Sequence, residues 1–174
     1  GGLRLNRLIL TESQIREAQI SGVHLEGMNV FMRGVNVSST QADPSVEPID
    51  TNAAGQGVFV RNARKIQVQE TTLSYNSGTG LMVHGSAAFT DTEPLINVEK
   101  SRLTHNIRCG FWTQIPHTAQ IKPPINLKQV TLRDNTLFGF YSTVVNVEMD
   151  DVLIKGVTQG VLTLGCPDRT RDCV

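Results

Sequence analysis

The strongest constraint on the fold of this chain is a unit written three times with fixed internal spacing. Gly57-Val58-Phe59-Val60 leads through Ile66-Gln67-Val68 to Leu73 and Asn76. Gly80 opens Leu81-Met82-Val83, then Ile96-Asn97-Val98, Leu103 and Asn106. Gly110 opens Phe111-Trp112-Thr113, then Ile125-Asn126-Leu127, Leu132 and Asn135. Each asparagine lies three residues after the leucine, and the next glycine lies seven after it. A fixed core with insertions of variable length is the signature of a solenoid. Counting glycines extends the series to Gly2, Gly22, Gly57, Gly80, Gly110, Gly139 and Gly160.

Within each unit apolar and polar residues alternate over short runs, the period of a strand rather than a helix. About three such runs fit in a unit, so stacked units predict an all-β coil of about six turns with three parallel sheets. At roughly 4.8 Å per coil the stack makes a rod of roughly 30 Å. Three polar stretches, 38–56, 84–94 and 114–124, read as loop insertions between strands. The whole chain, 1–174, reads as one domain, cut from a longer protein. The unit from Gly139 is the least regular: Val145/Val147 and Val152/Ile154 fit only with a one-residue slip. Asparagine suits the left-handed bend of a tight turn, and stacked amides can hydrogen-bond as a ladder.

This pattern resembles the right-handed parallel β-helix repeats of pectate-lyase-like proteins over residues 2 to 165. The resemblance implies the fold. It implies activity less, because such repeats serve polysaccharide lyases and hydrolases, phage tailspikes and surface proteins alike. The spaced aspartates and Gly-His-Gly of polygalacturonase-like sites are missing, with only His84-Gly85 present, and the calcium-binding aspartates of pectate lyases have no counterpart on the first sheet. No metal site or cofactor is expected.

Between the two buried residues of each first strand stands one outward residue: His24, Phe59, Met82, Trp112, Tyr141 and Leu162. This aromatic stripe, with the only tryptophan, predicts a binding surface at Phe59, Met82, Trp112 and Tyr141 for a protein or glycan. The bland alternative is a satellite core covered by the insertions. In β-helices that act on carbohydrate, the resemblance makes this sheet the substrate groove. A second outward row, Gln67, Asn97, Asn126 and Asn146, followed by Glu99, Lys128 and Glu148, reads as a polar solenoid surface. Acid/base chemistry needs converging carboxylates. Asp150-Asp151 is the only adjacent acidic pair, and the one assembly to be built joins His84, Asp91, Glu93 and His117 on the insertions. No catalytic residue is assigned.

Sixteen basic and sixteen acidic residues leave no net charge, which gives no case for nucleic acid or an anionic membrane. No apolar run approaches membrane-spanning length, so no membrane insertion is expected. Cys166 and Cys173 are close enough in sequence for a loop-closing disulfide, with Cys109 left over. Asn36-Val37-Ser38 is an acceptor sequon for N-glycosylation. The leading expectation is a non-catalytic segment of a secreted or cell-surface protein, acting as rigid spacer and interaction surface. Part of a polysaccharide lyase or glycoside hydrolase, and an intracellular protein-binding repeat, remain alternatives. The ends of such a stack expose strand edges, which predicts end-to-end self-association.

Overall fold

The computed structural model describes residues 7–42, 54–63, 65–85, 95–115, 124–143 and 147–164. These form a parallel β-helix of six coils with three six-stranded sheets. Sheet I follows the repeat glycines and contains β3 (Ser21–Glu26), β6 (Gln56–Arg61), β9 (Leu81–His84), β12 (Cys109–Gln114), β15 (Phe138–Ser142) and β18 (Gly160–Leu164). Sheet II contains β1 (Arg7–Thr11), β4 (Asn29–Arg33), β7 (Lys65–Gln69), β10 (Leu95–Glu99), β13 (Ile125–Lys128) and β16 (Val147–Asp150). Sheet III contains the short strands β2 (Gln14–Arg16), β5 (Asn36–Ser38), β8 (Thr72–Ser74), β11 (Arg102–Thr104), β14 (Thr131–Arg133) and β17 (Leu153–Lys155). Every strand pairs in parallel with its equivalent in the next coil.

Alternation decides what goes inside. Ile66/Val68, Ile96/Val98 and Ile125/Leu127 are buried from sheet II, and Val37, Leu73, Leu103 and Leu132 form a fully buried, in-register stack from sheet III. Sheet I adds Val58/Val60, Leu81/Val83, Phe111 and Phe140, with the two Phe rings 5.2 Å apart. Burying one such aliphatic side chain contributes about 1.5–3 kcal/mol; the inward row of Val60 and Val83 continues in sheet I with buried Thr113 and Ser142, whose hydroxyls hydrogen-bond to each other at 2.7 Å. At the two terminal coils Leu8, Leu10 and Ile15, and Val147, Val152 and Ile154, pack on this core but are only partly buried.

The repeat asparagines are fully buried and do form a ladder. The Asn106 carboxamide accepts from Asn76 Nδ2 at 2.8 Å and from the Asn76 backbone N–H at 3.2 Å. It donates to Asn135 Oδ1 at 3.0 Å and to the Leu73 carbonyl at 3.2 Å. Thr40, which stands at the asparagine position of the second coil, caps the ladder by donating its N–H to Asn76 Oδ1. The glycines exist because of this ladder. A Cβ on Gly57, Gly80 or Gly110 would lie 2.7–2.8 Å from the amide nitrogen of Asn76, Asn106 or Asn135, and 2.8 Å from the next glycine's carbonyl. Asparagine and glycine are thus one packing unit.

The bend itself falls one residue earlier than expected. Positive φ belongs to Glu17, Ser39, Tyr75, His105, Asp134 and Gly156, the residues just before the asparagine position. The asparagine side chain satisfies the turn's neighbours, while the residue ahead of it makes the turn. Glu12, Gly34, Glu70, Lys100, Gln129 and Asp151 repeat this left-handed geometry at the corner between sheets II and III. Their N–H groups keep the ladder unbroken around both corners, as in Glu70 N–H to the Glu99 carbonyl and Tyr75 N–H to the Thr104 carbonyl.

Two boundaries need correction. Ser38, Gln56, His84 and Gln114 are strand residues, and Thr40 belongs to the ladder, so the insertions begin later or end earlier than 38–56, 84–94 and 114–124 imply. Most of each insertion lies outside the described residues. In the last coil Val147 pairs with Ile125 and Met149 with Leu127, so the register pair is Val147/Met149 rather than Val145/Val147, with Val147 packed on the core and Met149 38% exposed.

Candidate functional site

The outer side of sheet I carries the aromatic stripe, and its two halves differ. His24, Phe59, Met82, Trp112 and Tyr141 are register partners across neighbouring strands. Phe59 is 0% exposed and Met82 2%, and they form a small cluster separate from the main core. The His24 ring meets Phe59 edge-on at 5.0 Å. These two residues, expected to bind a partner, are therefore a satellite core. Pointing away from the interior is not the same as being accessible.

The other half is open in part. Trp112 and Tyr141 are half-buried, with their rings 5.3 Å apart and near perpendicular. Phe138, which pairs with Cys109 and lies off the outward row, joins them at 5.7 Å from Tyr141. Edge-to-face packing holds such rings in fixed orientations. Among the described residues, the buried Trp112 indole Nε1 has no hydrogen-bond partner. Rigid strands on both sides fix all three backbones, because β12 pairs with β9 and β15, and β15 pairs with β18.

Leu162 does not continue the stripe. It pairs with Phe140, and Thr163 takes the position beside Tyr141. The misleading residue is Gly160, which lies opposite Phe138 rather than Gly139. Counting seven residues from Ile154, the leucine-equivalent of the last coil, reaches Val161 instead.

The outward row of sheet II runs Ile9, Phe31, Gln67, Asn97, Asn126 and Glu148. Glu148 thus occupies the place assigned to Asn146, which lies outside the described residues, and Asp150 follows Lys128 in the neighbouring row. Lys128 and Asp150 pair at 3.6 Å, and with Asn97, Asn126 and Glu148 they line a shallow open groove. Asp150 and Asp151 are both exposed, since the corner after β16 turns the second carboxylate outward.

His84 is half-buried at the end of β9, in register with Arg61 and Gln114. Its proposed companions Asp91, Glu93 and His117 lie outside the described residues, as do Cys166 and Cys173. Among the described residues no three His, Cys, Asp or Glu side chains gather as metal ligands, and no helix is long and apolar enough to cross a membrane. Cys109 is buried and free, and burial pushes its thiol up to about 11. Asn36 opens β5 on the outer side of sheet III, and among the described residues its buried Oδ1 has no hydrogen-bond partner.

Comparison with protein-family models, curated proteins and solved structures found no match. The fold therefore stands on its own geometry.

Proposed function

We propose that this chain is a non-catalytic β-solenoid segment of a larger secreted or cell-surface protein, a stiff spacer that presents an interaction surface. The observation that carries this reading is the half-open ring group Trp112, Phe138 and Tyr141 on a sheet whose backbone is held on both sides. Aromatic groups on rigid strands lose little entropy when a partner docks, which favours both protein and sugar contacts. The coil-to-coil hydrogen bonds and the buried amide ladder supply the stiffness. The Asn36 sequon favours a secretory origin.

The same ring group favours a second reading, part of a polysaccharide-processing enzyme of the pectate-lyase-like kind, with sheet I as the substrate groove. Titrating the protein with oligosaccharides and polysaccharides, with and without calcium, separates the two through Trp112 fluorescence. Under the spacer reading, acrylamide quenches Trp112 partly and no polysaccharide is depolymerised. Product release that disappears in Trp112→Ala would overturn the non-catalytic assignment. Fluorescence that acrylamide leaves untouched would remove the ring group as a surface.

A further inference from the structure

Sheet III carries a different kind of surface from sheet II. On and beside sheet II several charges are paired: Lys128 with Asp150, Lys100 with Glu99, and Arg33 with Glu70 at 3.2 Å. The twelve outward positions of sheet III hold Arg16, Arg102, Arg133 and Lys155 and no carboxylate. All four cations are exposed. Among the described residues Arg16, Arg102 and Lys155 have no ion-pair partner, and Arg133 is shared with Asp134 at 2.8 Å. Apart from Leu153, the other outward positions are Ser, Thr, Asn and Gln.

The edge of this face bears an exposed ring. Tyr75, 61% exposed at the left-handed corner, stacks on His105 at 4.7 Å and 17°. The corner residue in the preceding coil is the small Ser39, which leaves the other face of the tyrosine ring uncovered by a bulky neighbour. His105 is also held 3.5 Å from Asp134. Carboxylates border the face at both corners. Glu70 is drawn toward sheet II by Arg33, and Asp134 is held by Arg133 and His105. Glu12 and Glu17 flank Arg16 in the first coil and Asp151 precedes Lys155 in the last, whereas the corners of the Arg102 coil, Lys100 and His105, carry no carboxylate.

From this arrangement we propose that the outer face of sheet III binds a linear sulfated glycan laid along the solenoid axis. Successive coils present outward side chains, mostly polar, at a spacing of about 4.8 Å, which suits a polymer of repeating units. Guanidinium and ammonium groups supply the charge complement. Rows of hydroxyl and amide donors beside them suit a tetrahedral oxyanion, which accepts hydrogen bonds in several directions. Tyr75 offers a ring face on which a sugar can stack. A peptide would need side-chain pockets, which this flat polar face does not supply. A single-stranded nucleic acid would need a series of ring platforms for successive bases, and among the described residues this face is bordered by one exposed stacked pair, Tyr75 and His105.

The test compares binding of the folded chain to dextran sulfate, to carboxymethyl dextran of equal charge density, and to plain dextran. Dextran sulfate should bind, weakening as salt rises, and the other two should bind far less. Arg102→Gln with Lys155→Gln should lose about tenfold or more in affinity, from two charge-assisted contacts, while the melting temperature stays unchanged. Tyr75→Ala should lose several-fold, and Trp112→Ala nothing. The sheet II control Lys65→Gln with Lys128→Gln should bind as the parent does. Equal binding by the Arg102/Lys155 variant, an equal loss in the control, equal affinity for carboxymethyl dextran, or tighter binding of single-stranded poly(dT) would each overturn the proposal.

Discussion

Asn106 is the centre of the amide ladder, and replacing it tests whether the ladder stabilises the fold. In Asn106→Ala four side-chain hydrogen bonds are lost: two accepted from Asn76, one to the Leu73 carbonyl and one to Asn135. Asn135 Oδ1 keeps the Asn106 backbone N–H, but the Asn76 N–H and amide nitrogen both lose this acceptor. Each buried donor left unsatisfied costs about 1–3 kcal/mol, so two predict a loss of about 2–6 kcal/mol in urea unfolding at pH 7. Asn106→Asp refines the test, because its shape is nearly unchanged. The buried carboxylate would face the Leu73 carbonyl and Asn135 Oδ1, so its folded pKa must lie above the unfolded value of about 3.9. Protonated, it keeps one donor. Its stability is therefore greatest below pH 4 and falls as pH rises, by up to about 1.4 kcal/mol per unit, until the folded pKa is reached. Asn106→Ala should show no such added slope. A loss under about 1 kcal/mol in the alanine variant, or a flat pH profile for the aspartate, would refute the ladder as a stabilising element.

Gly80→Ala places a methyl 2.8 Å from Asn106 Nδ2 and from the Gly110 carbonyl, so it should cost about 1–3 kcal/mol by thermal melting. Leu103→Asp puts an unpaired carboxylate in the fully buried stack and should unfold the protein by circular dichroism, while Gln67→Ala on the half-buried outer row should be nearly silent. Cys109 should resist a thiol reagent at pH 8 until the protein unfolds, because the thiolate is the reactive species. Burial lifts its folded pKa from the ordinary 9.0 to about 11, so its contribution to stability is intact below pH 9 and declines between pH 9 and about 11.

Much of the architecture was legible in the chain because inside and outside alternate along a strand. The leucine–asparagine–glycine spacing placed the three sheets and the amide ladder, but Gly160, counted as the last repeat glycine, lies one position off that register. Alternation names the side of a sheet, however, and not what covers it. Phe59 and Met82 therefore looked like a surface, although they are buried. The left-handed corners were hidden for a related reason. Glutamate, lysine, tyrosine, histidine and aspartate all occupy them, because the coil-to-coil hydrogen bonds impose the bend whatever the side chain. Phe138 was invisible as a member of the ring group because it sits beside a repeat glycine, off the outward row. The cations of sheet III escaped notice because net charge sums over the chain, while a partner meets one face.

The central claim is a stiff stack in fixed register, and a distance along one row tests it most directly. Arg16 and Lys155 are exposed at opposite ends of the same sheet III row, five strand-to-strand steps apart. Spin labels would be placed at Arg16→Cys and Lys155→Cys, with Cys166 and Cys173 replaced by serine and buried Cys109 left in place. Pulsed electron resonance should give one narrow distribution centred on a backbone separation of about 24 Å. A broad distribution, or one displaced by a coil or more, would contradict the rigid solenoid.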